Sequence, residues 1–141
     1  MFSLTSRKIS HETTVVEENY QLMSVVDETV SETPYQLILV YLSSGSDLSQ
    51  VKDHISHLLV PKMKTIITGD FNFGTKETNT LTTFLRDKSF SQVVPWPTHI
   101  QGRTLDHLYV SRDVHVELTR HSPYYSDHSA LCIKFRIVGS E

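Results

Sequence analysis

A single layered α/β domain, with helices packed on a mixed or mostly antiparallel sheet, is the fold class this chain predicts. Three observations carry that expectation. Residues 35–42 form an almost continuous apolar run, as a strand buried on both faces requires. Leu48, Val51, Ile55, Leu58 and Leu59 then recur at helical spacing and lay one apolar stripe along a helix. Near the end of the chain Val114, Val116 and Leu118, and later Leu131, Ile133, Phe135 and Ile137, alternate with mostly polar residues at the period of half-buried strands. With 141 residues and 38% hydrophobic composition, one domain over 1–141 can bury a core.

Taken in order, residues 13–16 and 20–26 read as strands of a hairpin that turns at Glu17-Glu18-Asn19. Residues 27–34 are acidic and rich in Thr and Ser, which marks a connection, and 35–42 follows as a central strand. Ser43-Ser44-Gly45-Ser46 breaks the pattern. Ser46 is placed to N-cap the next helix, with Asp47 as its first residue at the positive end of the dipole, and Pro61 closes it. Residues 65–68 are β-branched, so 35–70 reads as a strand-helix-strand unit. After Gly74, residues 79–86 place Leu81, Phe84 and Leu85 on one side of a short helix. Val93-Val94 opens an extended stretch that Pro95 and Pro97 interrupt, and 104–110 resumes as a strand before the two alternating strands at the end. No internal repeat or interdomain linker interrupts this order.

Charge and composition set limits on function. A formal net charge of -3 and a pI near 6.2 argue against a surface that attracts polyanions everywhere, so any nucleic-acid contact must be local or bridged by a cation. Cys132 is the single cysteine, which excludes an intramolecular disulfide and a Cys-based zinc site. Residues 1–8 lack the apolar segment of a secretory signal, and the longest apolar run, 37–42, is too short to span a bilayer. A soluble intracellular protein without a membrane partner is expected.

The chemistry converges on residues 65–73, where a β-branched run ends in Gly69-Asp70-Phe71-Asn72. A buried strand would deliver a carboxylate and a carboxamide to the point where the backbone leaves the sheet. Gly69 permits close backbone approach, Asp70 suits a hard cation or an oriented water, and Asn72 can donate to an anionic oxygen. Gly, Asp and Asn also populate ordinary turns, so the motif alone is weak. Two further polar clusters agree with it: Leu105-Asp106-His107, and Ser126-Asp127-His128 before the last strand. Plainer readings stand beside these. Tyr41 and Tyr109 taken alone are core or interface aromatics, His107 and His99 are surface or packing residues, and Trp96 between prolines is a loop anchor. Ser126, Asp127 and His128 do not form a nucleophilic triad, because neighbours on an extended segment point apart.

In order and identity these residues resemble the endonuclease/exonuclease/phosphatase superfamily. Asp70 and Asn72 match its GDxN, Thr98 with Leu105-Asp106-His107 matches its T…(I/L)D(H/Y) segment, and Ser126-Asp127-His128 matches its terminal SDH. The resemblance implies a four-layered α/β sandwich that hydrolyses phosphoester bonds with Mg²⁺ or Mn²⁺. It implies that His128 contacts the scissile phosphate and shares the acid/base work, with Asp106 orienting its imidazole. Asp127 and Asp70 would be metal-side carboxylates, Asp70 also positioning the attacking water. Asn72 would bind the phosphate oxygens, Tyr41 would add a hydroxyl, and Asn79 would be a further substrate-binding asparagine. Among subfamilies the look is that of transposable-element endonuclease domains, so DNA is the expected substrate and the nucleus the expected compartment, with a phosphoinositide, a sphingolipid or an RNA tail as alternative substrates because the motifs read the phosphate and not what it is attached to.

The chain departs from the pattern in two ways. It resembles only about the latter, C-terminal portion of a family domain, with no segment like the N-terminal half that supplies a metal-binding Asn and Glu, and Ser43 and Ser44 stand where the family has a proline. An incomplete metal site is therefore expected, together with an exposed inner sheet face that the missing half or another protein would cover. The alternative function is a catalytically inactive remnant that serves as a nucleic-acid-binding or protein-interaction module.

Overall fold

The computed structural model describes residues 11–27, 34–94, 104–112, 114–121 and 130–137. The elements run β1 (His11–Val16), β2 (Tyr20–Asp27), β3 (Tyr35–Leu42), α1 (Leu48–Leu58), β4 (Lys64–Asp70), α2 (Thr80–Asp87), β5 (Ser91–Gln92), β6 (Asp106–Val110), β7 (Val114–His121) and β8 (Ala130–Ile137). Six of them form one mixed sheet in the order β1-β2-β3-β4-β6-β5. Only β3 and β4 are parallel, joined by α1 as a strand-helix-strand unit, and β7 and β8 pair as a separate antiparallel ribbon. No helix among the described residues is long and apolar enough to cross a membrane.

Two apolar faces follow from the side-chain alternation of β3. Ile38, Val40 and Leu42 point one way, with Tyr20, Leu22 and Ile67, and bury Val51 and Ile55 of α1 and Leu81 and Leu85 of α2. Each such aliphatic side chain contributes about 2 kcal/mol by leaving water. Leu37 and Leu39 point the other way, with Val25, Ile66, Leu108 and Val110. The expectation that this second face lies exposed is corrected by the structure. Its described apolar residues are buried or, as with Met23, partly buried, and large exposed hydrophobics among the described residues are Val16, Tyr41 and Val60. The reason is that β7, outside the large sheet, brings Val114 into this cluster, with Val116 packed against it.

Local polar chemistry shifts some element ends. The N-cap of α1 is Asp47, whose carboxylate accepts from the N–H groups of Ser49 and Gln50, in place of the expected Ser46. Ser46 Oγ is already committed to the carbonyls of Asn19 and Ser43, at 2.8 and 2.9 Å. The helix stops at Leu58, before Pro61, because a buried glutamine meets its end. Gln36 Nε2 donates to Leu58 O and Ser24 Oγ at 2.6 and 2.7 Å, and its Oε1 accepts from Val60 N–H at 3.1 Å. One side chain inside the apolar β3 run thereby satisfies a carbonyl orphaned at the helix terminus. At the far edge, β5 precedes Val93-Val94 and is two residues long. The Gln92 carboxamide then takes over from the ladder, accepting from Val94 N–H and Leu108 N–H and donating to Val94 O.

Gly69 marks the tightest place in the sheet. Its φ is +149°, and a Cβ there would lie 1.8 Å from the carbonyl oxygen of Val40, its register partner in the parallel pair. Backbone cannot yield to that clash without parting β3 from β4. Gly69→Ala is therefore expected to cost at least ~3 kcal/mol of unfolding free energy in urea titrations. A variant as stable as the parent would show that the two strands are not held at this spacing.

Candidate functional site

The strand register sets a polar row across one end of the large sheet. Gln21 on β2 pairs with Tyr41 on β3, Tyr41 with Asp70 on β4, and Asp70 with Asp106 on β6. Register partners share a face, so all four lie on the side away from the two helices. The next row along that face, Met23, Leu39, Thr68 and Leu108, is largely apolar. At ~4.8 Å per strand, Tyr41 and Asp106 flank Asp70 across about 10 Å. Exposure changes sharply here: Leu39 is 5% exposed and Tyr41 50%. The row is where the sheet meets solvent.

Beyond Asp70 the chain turns back on itself. Asp70 Oδ1 accepts from the Asn72 backbone N–H at 2.9 Å, an Asx turn that fixes the backbone of Asn72 against the carboxylate. Asn72 has φ +56°, in the left-handed region that asparagine tolerates better than most residues. Phe71 and Phe73 alternate with these polar residues and are buried, and Phe71 N–H donates to Leu105 O at 2.9 Å. The Asp-Phe-Asn-Phe sequence is thus a two-sided strip, with aromatic anchors inward and polar groups toward the row.

His107 locks that strip in place. Fully buried, its ring stacks on Phe71 at 4.6 Å and 7°, and meets Phe73 edge-on at 5.2 Å. Nε2 lies 2.8 Å from Phe73 O and 2.9 Å from Thr104 O. Carbonyls only accept, so Nε2 carries the proton, and Nδ1 accepts from the Tyr109 hydroxyl at 2.9 Å. Burial pushes the imidazole pKa down to about 4, against the opposing pull of the Phe73 and Thr104 carbonyls and the Asp106 charge. Burial also raises the Tyr109 phenol. Both residues follow their packing reading.

Asn79 sits one residue before α2 and closes a capping box. Its Oδ1 accepts from Thr82 N–H at 2.9 Å, and its own N–H donates to Thr82 Oγ1 at 2.8 Å. Its Nδ2, like Ser43 Oγ just past β3, is buried with no hydrogen-bond partner. Thr98, Ser126, Asp127 and His128 lie outside the described residues, as do Trp96 and His99. Among the described residues no three of His, Cys, Asp and Glu converge as a metal site. Asp70 and Asp106 bring hard oxygen donors to the row, a donor type that suits Mg²⁺, which takes one or two carboxylates and completes its shell with water and phosphate oxygens. Gln21 is the row member that sequence reasoning missed. Alternation put it on the face of Met23 and Val25, but only the β2–β3 register puts it beside Tyr41.

The family described as endonuclease-reverse transcriptase matches residues 35–132, a span that contains Tyr41, Asp70, Asn72, Asp106, Asp127 and His128. No curated protein matches the chain. Among solved structures, the endonuclease domain of TRAS1, a telomere-specific non-LTR retrotransposon, superposes with a TM-score of 0.65 at 15% identity, over 89% of this chain and 67% of that one. An endonuclease/exonuclease/phosphatase family protein from Bacteroides thetaiotaomicron gives 0.63 at 13% identity, over 91% and 63%. CdtB, the biologically active subunit of cytolethal distending toxin, gives 0.59 at 12% identity, over 92% and 58%. The chain thus spans two thirds or less of the length of the solved structures it resembles. At these identities the likeness is one of fold.

A buried neutral His107 makes stability depend on pH. The unfolded chain takes up a proton near the ordinary value of 6.5, whereas the folded ring does so only near 4. Its contribution is complete above about pH 6.5 and is lost as pH falls from there toward 4. Urea unfolding at pH 7.5 and 5.0 should show the advantage of the parent over His107→Gln shrinking by about 2 kcal/mol. An advantage that is equal at both pH values would exclude the buried neutral ring.

Proposed function

The chain belongs to the endonuclease-reverse transcriptase family, within the endonuclease/exonuclease/phosphatase superfamily, and from that premise we propose that it is a hydrolase of phosphodiester bonds acting on DNA. The observation that carries this reading is the in-register row of Tyr41, Asp70 and Asp106, with the Asn72 N–H bonded to the Asp70 carboxylate at the strand end. Three elements of a sheet and one Asx turn bring together a hydroxyl, two carboxylates and a carboxamide. These are the group types that bind and orient a phosphodiester and its attacking water.

In this reading Asp70 orients the water, and Asn72 and the Tyr41 hydroxyl donate to phosphate oxygens as negative charge develops on them. His128 carries a proton between water, phosphate and leaving group, and Asp106 holds its tautomer. Asn79, at the N-cap of α2, is the further substrate-binding asparagine of this reading. Mg²⁺ or Mn²⁺, held by Asp70 and Asp127, would supply Lewis-acid stabilisation of the phosphate charge. DNA is the favoured substrate because the TRAS1 domain, an endonuclease of a telomere-specific retrotransposon, shares the fold. A DNA substrate makes the nucleus the expected compartment, and the expected protein partner is one that completes the domain.

The second reading is a binding module without hydrolysis. It is favoured by the lack of three converging metal-ligating side chains among the described residues. Nicking of supercoiled plasmid separates the two. The hydrolase reading expects nicking with Mg²⁺ or Mn²⁺ that EDTA abolishes, and that Asp70→Asn and His128→Ala each slow by at least about a hundredfold. A folded sample that does not nick under any of these conditions would establish the binding-module reading instead.

A further inference from the structure

A second feature lies at the opposite end of the sheet. The turn after α1, the start of β4, the end of α2 and the turn after β6 enclose an open groove of about 460 Å³. Lys62, Lys64, Lys88 and Arg112 line it, with the hydroxyls of Ser89 and Ser111 among them, and no described lining residue is acidic. Three separate chain segments thus bring four cations to one concavity in a chain whose net charge is -3. Cations next to helix C-termini complement the helix dipole, and that accounts for Lys88, which caps α2. It does not account for Lys62, held outward in a turn at φ +64°, or for Arg112 beyond β6.

We propose that this groove binds the phosphodiester backbone of a nucleic acid. Lys, Arg and Ser are the side chains that contact phosphate without reading sequence, and a concave surface of one sign focuses the field on a polyanion. Neutralising phosphates releases condensed counterions, which supplies affinity that an acidic chain lacks elsewhere. Lys64 and Asp70 are six residue steps apart along β4, a distance of about 20 Å at strand rise, so the groove holds a stretch of nucleic acid other than the one at the polar row. The choice of nucleic acid among polyanions rests on the function proposed above, while the binding itself needs no hydrolysis.

Fluorescence anisotropy of a labelled 20-base-pair DNA duplex, titrated with the full chain in EDTA at several salt concentrations, tests this apart from any nicking. The variant Lys62→Ala/Lys88→Ala/Arg112→Ala should bind roughly tenfold or more weakly, with a salt slope smaller by about three, whereas Lys52→Ala on α1 should match the parent. On the unmodified chain, bound duplex should shield Lys62 and Lys88 from acetylation and leave Lys52 reactive. Unchanged affinity and slope in the triple variant, an equal loss in Lys52→Ala, or acetylation of Lys62 and Lys88 that the duplex does not alter would each overturn the proposal.

Discussion

The hydrogen bonds from one buried imidazole to two carbonyls hold together the end of the sheet where the polar row lies. His107 Nε2 reaches Phe73 O, beyond β4, and Thr104 O, ahead of β6, and so ties the exit of one strand to the entrance of the next. The ladder already pairs Asp70 with Asp106, and this tie extends the join past the strand end to the segment that carries Asn72. Phe71 and Phe73 complete the arrangement by gripping the ring from its face and its edge. At Nδ1 the ring accepts from the Tyr109 hydroxyl, which it can do only while uncharged, and its burial keeps it so.

The parallel contact between β3 and β4 is the second constraint. At Gly69 the two backbones come so close that any side chain would meet the Val40 carbonyl. One residue later the pair delivers Tyr41 and Asp70 side by side. Close approach and the placement of the row are consequences of the same register, and the glycine in the Gly-Asp motif has a steric cause that is separate from any chemistry of the aspartate.

Much of the fold is legible in the sequence because periodicity reports burial. The bounds of β3, the stripe of α1, the β1–β2 hairpin and the two late strands all follow from apolar spacing. Less legible are features in which a polar side chain substitutes for backbone. Gln36 inside an apolar run, Asp47 in place of Ser46 as the cap and Gln92 in place of a longer strand each depend on which partner happens to be in reach. The cover over the second sheet face is likewise a tertiary fact, since nothing in the alternation of Val114 and Val116 says which surface they meet. For the site, the motifs name Tyr41, Asp70, Asn72 and Asp106 one at a time. Their neighbour relations, and the place of Gln21 among them, depend on strand register, which no local pattern specifies.

The short β5 strand has a consequence for how this sheet behaves among other copies of itself. A β-sheet normally ends in a row of unsatisfied amides that can recruit another chain, and the outer side of β6 would be such a row over Leu108 and beyond. Two ladder residues and then the carboxamide of Gln92, which takes up Leu108 N–H and both polar groups of Val94, close that margin from within. The molecule thereby blunts an adhesive edge with a two-residue strand, the Val93 N–H that donates to Leu108 O and one side chain, and strand addition on that flank would first have to displace them.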